Sequence, residues 1–598
     1  MDKILIVEKF HKFVPIRLNK YHSIYSYNFI FNSLKKNLKK RKIILSEDII
    51  TARMSILSRH KTSREGNNIF NVLVKKHALN AFTKIGGKVY ANSVFKKLIY
   101  AEAETIFTSI MLTEKIIKKY QINGNVFLIP RTISFTVFKA MHQLGLIPKN
   151  IRVPRNILFF MRLREFLRNF YYITRFIFYP EYLLFRMKKG ESSHVKKQYK
   201  IGAHLYPGIG FKTKPFSFNF FIDEKDKWKD KVIYVIDEPA PKKYVKEVKQ
   251  SGYTIVDFDT DLIESSSRFM FLKSYYLNTM KIRLELFKLV FGCLFYGRTI
   301  YFTYRSVLLW NLFNDRYNVN VLFHMMHPGD LSSVVLNQKH GTNCVFIYCS
   351  TTHNRIDRGN TNKFSEEVYY SNMIFDKILS NKASNKWFKS NQNNVGDYID
   401  IGSIMSDFVR NVDSKNIIDI KKELNISEKM TLLTFFDTVV GHIGTFTFED
   451  QLKFFDSIYN ILEENKRYFI IFKSKNKPKI SSYPKEGAQV VSIYDTLKNH
   501  SRFICANTVK YNSYELMASS DLVVSAPLSS VLFEAVIGGV KSISYDPNSR
   551  YTGDHMLAEK FPNFSAHGYN ELKHLIDYWL HQCNEKEFIN FQNKYIKL

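Results

Sequence analysis

The sequence is poor in cysteine, glycine and proline and has no long apolar run. Its five cysteines are scattered and form neither a Cys-x-x-Cys pair nor a zinc-type spacing, which favours a reduced compartment. No stretch of about 18 consecutive apolar residues occurs, so no transmembrane helix is expected. The N-terminus lacks the apolar run of a signal peptide, and its residues 4–7 predict a buried strand. We therefore expect a cytoplasmic protein, soluble or peripheral to a membrane.

Acidic residues are also scarce relative to basic ones. The chain has 88 Lys and Arg against 54 Asp and Glu, a formal net charge of +34. Such an excess favours polyanionic partners: nucleic acid, acidic lipid or phosphorylated substrates. An AT-rich genome would also enrich lysine, so part of the charge is equally consistent with background composition. With 598 residues, 45% of them hydrophobic, the chain is expected to fold as two or three domains.

Residues 151–189 alternate large apolar and aromatic side chains with arginines and contain almost no acids. On a helical projection Arg164, Arg168 and Arg175 share a face, whereas Arg162 falls on the opposite one. This composition is typical of an anionic membrane surface, where rings lie at the headgroup boundary and arginines reach lipid phosphates. A basic helix packed on its own domain is the alternative. The segment could also contact nucleic acid, but no nucleic-acid module accompanies it, so no nucleic-acid partner is expected.

From about residue 230, apolar runs of strand length alternate with helical patterns. The predicted strands cover residues 231–236, 253–256, 319–323, 343–348, 376–379 and 398–401. Strands that alternate with helices at this spacing predict an open parallel sheet. A strand at 124–130 followed by a helix at 134–144 suggests a further strand–helix unit upstream.

A polar, helix-prone connector at 406–429 precedes a second series of the same kind. Its predicted strands cover residues 430–436, 468–472, 521–525 and 541–545, and its helices 449–465 and 529–537. The fold class is therefore α/β, with two Rossmann-like domains that face a cleft. The first spans residues 1–405 and includes the basic aromatic helical insertion at 151–189, and the second spans residues 430–598.

The clearest candidate binding site follows the strand that ends at Ser525. Pro527 breaks the chain, and Ser529 and Ser530 stand at the start of a helix, where unpaired N–H groups and the helix dipole favour a phosphate. Glu534, one turn further along, is within reach of a ribose. Alternatively, Ser529 is only a helix cap.

A family resemblance rests on the string DLVVSAPLSSVLFEAVIGGVKSISYDP at residues 521–547. It resembles the donor-binding segment of GT-B fold glycosyltransferases that build bacterial surface polysaccharides such as capsule and O-antigen. The segments 515–521, 434–438 and 472–475 are similar to other parts of that second domain, and 375–380 and 401–403 to the end of the first. The resemblance covers roughly residues 230–570. Capsule Kdo transferases and teichoic-acid glycerophosphotransferases carry similar strings, which leaves UDP-, CMP- and CDP-linked donors open.

The resemblance implies a glycosyltransferase that uses a nucleotide-sugar donor. The sugar would pass to a growing polysaccharide, an oligosaccharide or a lipid-linked acceptor at the inner membrane face, with an anionic membrane surface as a further partner. Helix N-termini and Lys473, rather than a metal, would take up the phosphate charge. No cofactor and no metal are expected, and Asp257-Phe258-Asp259 is the nearest approach to a metal-binding acidic pair.

An acceptor hydroxyl must lose its proton to a base that projects from the first domain. His327 and Asp330 lie in a loop between a predicted strand and a helix, and Glu238 follows another predicted strand. Asp330 is the first candidate, His327 the second and Glu238 the reserve, although the loop residues could equally be caps.

Rival functions remain open at this level. A nucleotide-sugar epimerase or a teichoic-acid-like glycerophosphotransferase would use the same second-domain motif. A membrane scaffold with a decayed donor site would keep residues 151–189, but the intact Ser529, Ser530 and Glu534 argue against decay.

Overall fold

A computed structural model describes most of the chain. The described residues are 3–7, 23–26, 43–45, 52–74, 76–122, 125–129, 134–187, 196–205, 225–237, 242–275, 279–292, 297–325, 328, 331–349, 370–390, 393–412, 421–424, 426–438, 446, 448–474, 485–506, 511–527, 529–550 and 557–596.

Three separate parallel sheets organise these residues. The first has the order β3-β2-β1-β4-β5, with strands β1 Lys3–Val7, β2 Ser23–Ser26, β3 Ile43–Leu45, β4 Asn125–Ile129 and β5 Ile151–Arg152. The second has the order β12-β11-β10-β9-β6-β7-β8, with β6 Lys197–His204, β7 Val232–Ile236, β8 Thr254–Asp257, β9 Tyr317–Met325, β10 Asn343–Ile347, β11 Ile374–Ser380 and β12 Asn394–Asp400. The third has the order β15-β14-β13-β16-β17-β18, with β13 Thr431–Phe436, β14 Tyr468–Lys473, β15 Phe503–Cys505, β16 Leu522–Ser525, β17 Ser542–Asp546 and β18 Ser565–His567.

In each sheet the first strand along the chain lies in the interior, and the later strands are added first on one side of it and then on the other. This is the doubly wound Rossmann order. The direction of growth reverses between β1 and β4, between β6 and β9, and between β13 and β16. Ligands of open α/β sheets bind at the carboxyl ends of the strands that flank such a reversal. In the two larger sheets, ligand sites are therefore expected at the carboxyl ends of β6 and β9 and of β13 and β16.

Helices surround the sheets. Before the third sheet they are α1 Ala52–Leu73, α2 Lys76–Lys119, α3 Phe135–Gln143, α4 Arg155–Arg186, α5 Lys225–Trp228, α6 Lys242–Gln250, α7 Ile263–Ser265, α8 Arg268–Ser274, α9 Met280–Gly292, α10 Gly297–Arg316, α11 Leu331–Lys339, α12 Lys382–Ser390 and α13 Ile404–Arg410. Those that follow are α14 Phe448–Glu464, α15 Lys485–Lys498, α16 Ser513–Ala518, α17 Ser530–Ile537, α18 Tyr569–Asp577 and α19 Glu585–Ile596. Short π-helices at Phe258–Leu262 and Tyr578–Gln582 and a 3₁₀ helix at Leu557–Lys560 complete the elements.

The N-terminal unit packs on the second sheet through helices. The side chain of Tyr90 on α2 lies 2.7 Å from the hydroxyl of Ser332 on α11. A Cβ at Gly86 would lie 2.5 Å from Val335, so the kink in α2 at Gly86-Gly87 lets the two helices approach closely. One hydrophobic core therefore runs from α2 through α4 and α10 to one face of the second sheet.

The second and third sheets meet through α13, which leaves the second sheet after β12. The guanidinium of Arg410 on α13 donates to the carbonyl of Ile537 on α17 at 2.6 Å. The hydroxyl of Tyr514 on α16 donates to the Sδ atom of Met405 at 3.1 Å. A shared hydrophobic cluster includes Leu205 and Met325 from the second sheet and Phe436 from the third.

The predicted fold class is confirmed. The second and third sheets are the two predicted Rossmann-like units, and α4 is the predicted helix in the 151–189 insertion. Residues 1–405, predicted as one Rossmann-like domain, hold two separate parallel sheets. The first of them is built from very short strands, which leave a weak period-two pattern in the sequence.

Among the described residues, no helix is long and apolar enough to cross a bilayer.

Candidate functional site

The reversal point of the third sheet places two of the predicted donor residues, Lys473 and Ser525, at the ends of the strands that flank β13. Phe436, the last residue of β13, is in register with Lys473 on β14 and with Ser525 on β16. Just beyond these strand ends, the hydroxyl of Ser474 donates to the Asp437 carboxylate at 2.8 Å, and both side chains are buried. The strand ends thus form a polar edge where the growth of the sheet changes direction.

The segment after β16 leads directly into α17. Ser525 is fully buried, and its hydroxyl donates to the carbonyl of Ala526 at 3.3 Å, so it belongs to the strand end. Ser529 is the N-cap of α17 with extended backbone, and its side chain makes no capping hydrogen bond to the helix. Ser529 and Ser530 are both half-buried. Ser529 therefore occupies the N-cap position, as the alternative interpretation has it, but without a capping hydrogen bond from its side chain.

Lys473 is buried rather than exposed. Its ammonium donates to the carbonyl of Tyr511, in the segment that precedes α16. Burial lowers the pKa of Lys473 to about 8, although the carboxylate of Glu515 acts in the opposite direction. The ammonium thus lies at the carboxyl edge of the sheet, next to the start of α16.

Glu534 lies where the two larger sheets meet. It is buried, and its carboxylate interacts electrostatically with Cys349, which follows β10 of the second sheet. Burial, and then Glu534, raise the pKa of Cys349 to about 12. The same two causes raise the pKa of Tyr514 on α16 well above its usual value. Glu534 therefore faces the second sheet across the contact between the lobes.

The reversal point of the second sheet holds a buried group of titratable side chains. His204 on β6 is in register with His324 on β9, and their rings stack with centroids 4.8 Å apart. The Nε2 atom of His204 lies 2.6 Å from the carboxylate of Asp237, which follows β7. Arg305 on α10 donates to the Asp237 carbonyl and to the Asp259 carboxylate, both at 2.8 Å.

Burial and neighbouring charges shift the pKa values of Asp237 and His324. Burial acts to raise the pKa of Asp237, but the neighbouring His204, His324 and Arg305 outweigh it and lower the pKa to about 2. Burial, and then His204, lower the pKa of His324 well below its usual value. Within the described structure, neither ring nitrogen of His324 has a hydrogen-bond partner. The group therefore combines an ionised carboxylate with a neutral imidazole at the carboxyl edge of the second sheet.

The three candidate bases, Asp330, His327 and Glu238, lie outside the described residues, and their roles stay predictions. Their neighbours in the chain are described, because Glu238 directly follows Asp237 and His327 comes three residues after His324. The sequence reasoning missed His204 and His324. For the first of them, the only signal was the short run Ile-Gly-Ala-His at the end of residues 197–204, which is weak evidence for a strand.

The acidic pair Asp257 and Asp259 is occupied by protein contacts. The Asp257 carboxylate accepts from the backbone N–H of Asp259 at 2.9 Å, and the Asp259 carboxylate pairs with Arg305. No group of three or more metal-ligating side chains occurs in the described part of the chain.

The architecture is thus that of an α/β protein with three doubly wound parallel sheets, of which the second and third meet at their carboxyl edges. The sequence model of one protein family, described as polysaccharide biosynthesis PFTS motif protein, matches residues 285–576. The chain is therefore similar to proteins of polysaccharide biosynthesis from α9 to α18, and this agrees with the resemblance stated from the sequence. No curated protein matches the sequence significantly.

Three solved structures illustrate the structural similarity. HepE of Anabaena, in complex with UDP and glucose, is 10% identical, with 67% of this chain and 94% of that chain covered and a TM-score of 0.37. A glycosyltransferase from Rickettsia africae is 12% identical, with coverages of 67% and 93% and a TM-score of 0.36. The wall teichoic acid polymerase TagF is 12% identical, with coverages of 73% and 92% and a TM-score of 0.38.

Proposed function

We propose that the protein is a metal-independent GT-B glycosyltransferase of bacterial surface polysaccharide biosynthesis. It would move a sugar from a nucleotide-activated donor to an oligosaccharide or lipid-linked acceptor at the inner face of the membrane. The observation that carries the proposal is the family match over residues 285–576, which contains the whole carboxyl edge of the third sheet. Capsule and lipopolysaccharide are the product classes that the resemblance favours.

The resemblance of residues 521–547 to donor-binding segments supports the location of the donor site. The family match covers the same segment, including Pro527, Ser529 and Ser530. We place the donor phosphates at the start of α17, where backbone N–H groups and the helix dipole stabilise negative charge.

The rest of the donor site follows from the strand register. Lys473 and Ser525 lie on the two strands that flank β13, and Glu534 lies one turn into α17. An ammonium at this edge would stabilise the charge that develops on the leaving nucleotide. Glu534, at the contact with the second sheet, would bind the ribose.

The donor site is tested by replacing Ser529 and Ser530 with proline. Proline removes two backbone N–H groups but is compatible with the first turn of a helix, so the fold should be retained. We expect the stabilisation of the parent by UDP, CMP or CDP in a thermal-shift assay to disappear in the variant. A matched Ser529→Ala, Ser530→Ala variant keeps both N–H groups and should retain most of the effect. Unchanged nucleotide stabilisation in a folded proline variant would contradict the site.

The base is proposed in the loop between β9 and α11, with Asp330 ahead of His327 and Glu238 in reserve. The stacked His204 and His324 and the carboxylate of Asp237 fix the strand ends from which these loops leave. We expect Asp330→Asn to leave nucleotide binding intact and to lower turnover by roughly 100-fold or more. His327→Ala should have a milder effect. If both variants keep near-parent turnover while Glu238→Gln is inactive, the base lies after β7 instead.

A further inference from the structure

Helix α4 exposes an unusual amount of apolar surface. It carries nine of the eighteen large apolar side chains that the described part of the chain exposes: Phe159, Leu163, Phe166, Leu167, Phe170, Tyr171, Phe178, Tyr182 and Phe185. The exposed fraction of Phe185 reaches 84% and that of Phe159 and Phe178 62%. Single exposed apolar residues are ordinary, but a continuous group of them marks an interaction surface. We call these nine side chains the α4 stripe.

The opposite face of α4 is already occupied by the core. The ring of Phe176 packs edge-on against Tyr304 of α10 at 4.8 Å, and Tyr179 packs against Tyr301 at 5.7 Å. The helix is therefore apolar on both sides, with one side anchored in the protein. Because packing within the described structure accounts only for the anchored side, the α4 stripe needs another explanation.

Exposed arginines border the α4 stripe on both sides. At about 100° per residue, Arg155 and Arg162 fall along one border and Arg164 along the other. This explains why Arg162 falls away from the other arginines in the helical projection. Arg168 turns toward the protein, since its Nε atom is buried, whereas Arg175 is exposed and its guanidinium lies 4.8 Å from the ring centroid of Tyr301.

The acids of α4 do not oppose an anionic partner. Glu165 is buried and accepts a hydrogen bond from the hydroxyl of Ser134 at 2.8 Å. Glu181 is exposed within the α4 stripe, but its charge is balanced by an ion pair with Arg283 of α9 at 3.4 Å. The α4 stripe is thus an apolar band between positive borders, which is the charge pattern that complements anionic headgroups above an acyl layer.

Neighbouring helices extend the exposed apolar surface. Arg283 of α9 also donates to the carbonyl of Ile177, and the same helix exposes Met280 and Leu284. Arg268, at the start of α8, donates to the carbonyl of Met187 just after α4, and Phe269 beside it is 60% exposed. The exposed surface therefore continues past the C-terminal half of α4.

We propose that the α4 stripe lies in the interfacial layer of an anionic bilayer, parallel to its plane, with Arg155, Arg162 and Arg164 on the lipid phosphates. The proposal deepens the proposed function, on which it rests for the lipid-linked acceptor. It names the contact surface, extends it beyond residues 151–189 and assigns the lipid phosphates to Arg155, Arg162 and Arg164.

Vesicle binding by the full chain tests this proposal, and it needs neither donor nor acceptor. The first variant combines Arg155→Glu, Arg162→Glu and Arg164→Glu, and its matched control combines Lys453→Glu, Lys586→Glu and Lys594→Glu, exposed residues of the third-sheet domain. We expect the arginine variant to lose about 100-fold in partitioning onto vesicles of phosphatidylglycerol and phosphatidylcholine. The control should lose far less. An equal loss in both variants would show general charge attraction and overturn the proposal.

A second measurement reports insertion directly. The Phe178→Trp variant places an indole on the α4 stripe, and the Ile589→Trp variant places one at an exposed apolar position of α19. We expect bromine-labelled lipids to quench fluorescence in the first variant well beyond that of the second, measured against the parent. Equal quenching would overturn the proposal. So would a parent dimer that Phe159→Ser, Phe170→Ser and Phe178→Ser convert to monomer, since the α4 stripe would then join two copies of the chain.

The two proposals fail separately. If the arginine variant loses vesicle binding while nucleotides still stabilise it, the membrane contact is supported whatever the donor is. If nucleotides stabilise the parent protein but it does not bind vesicles, the proposed transferase function stands and the membrane role of the α4 stripe is rejected.

Discussion

At the scale of single residues, Lys473 shows how a buried cation could make donor binding depend on pH. Burial lowers the pKa of Lys473 to about 8, so the ammonium is largely charged at pH 7 and largely neutral at pH 9.5. If it contacts the donor phosphate, binding above pH 8 must take up a proton. Affinity should then fall by up to tenfold for each further pH unit.

Titration calorimetry with the stabilising nucleotide, between pH 7 and pH 9.5, measures this dependence. The Lys473→Met variant keeps the length of the side chain and removes the titrating group, so its affinity should be lower at pH 7 and change little with pH. A parent with a flat profile would place Lys473 outside the donor site, as a support for the Tyr511 carbonyl alone.

The partners of individual side chains were not accessible from the sequence. The sequence predicts Lys473 just after a strand end, and in the structure it is the last residue of β14. Its contact with the carbonyl of Tyr511, 38 residues away in the chain, could not be predicted. In the sequence, Asp259 is half of the nearest approach to a metal-binding acidic pair. In the structure its carboxylate accepts a hydrogen bond from Arg305, which is 46 residues further along the chain. Such contacts depend on how helices pack across a sheet, and no local pattern encodes that packing.

At the scale of elements, the start of α16 offers a direct test of local stability at the candidate site. The side chain of Asn512 accepts from the N–H of Tyr514 at 3.0 Å, and the Glu515 carboxylate accepts from the N–H of Asn512 at 3.3 Å. This reciprocal capping box satisfies donors that the helix start leaves unpaired. It also fixes the residue after Tyr511, whose carbonyl binds Lys473.

We expect Asn512→Ala to lower the free energy of unfolding by about 1 kcal/mol, measured by chemical denaturation. Asn512→Ser retains a capping oxygen and should recover most of the loss. If the alanine and serine variants are equally destabilised, the cap does not stabilise α16.

Element prediction succeeded where apolar runs were long and bounded by polar residues. The strand predicted at 430–436 is β13 at Thr431–Phe436, and the helix predicted at 529–537 is α17 at Ser530–Ile537. β6 went unpredicted because the first half of Lys197–His204 consists mainly of polar, exposed residues. Buried central strands rarely have such a pattern. Without β6, the reversal point at β6/β9 and its histidine pair could not be located.

At the scale of the whole molecule, the arrangement of the two larger sheets depends on a close approach between α13 and α17. A Cβ placed on Gly538, at the end of α17, would lie 2.6 Å from the Cβ of Val409. Gly538 has φ −73° and ψ −4°, which any residue can adopt, so this contact and not the backbone requires glycine. Val409 belongs to the connection that leaves the second sheet, and thus the glycine sets how closely the two lobes meet.

We expect Gly538→Ala to lower the free energy of unfolding by about 1–3 kcal/mol, because the added methyl group overpacks the contact between the lobes. Val409→Ala alone should also destabilise, since it leaves a cavity at a buried position. Val409→Ala removes the Cγ1 methyl group, which would lie 2.8 Å from the added Cβ, but keeps the Val409 Cβ at 2.6 Å. The double variant therefore relieves part of the overlap, and its loss should be somewhat smaller than the sum of the two single losses. Thermal unfolding of the four proteins, with and without the stabilising nucleotide, measures both the coupling and its link to donor binding. Strictly additive losses would show that the γ methyl groups of Val409 do not contact the methyl group added at position 538.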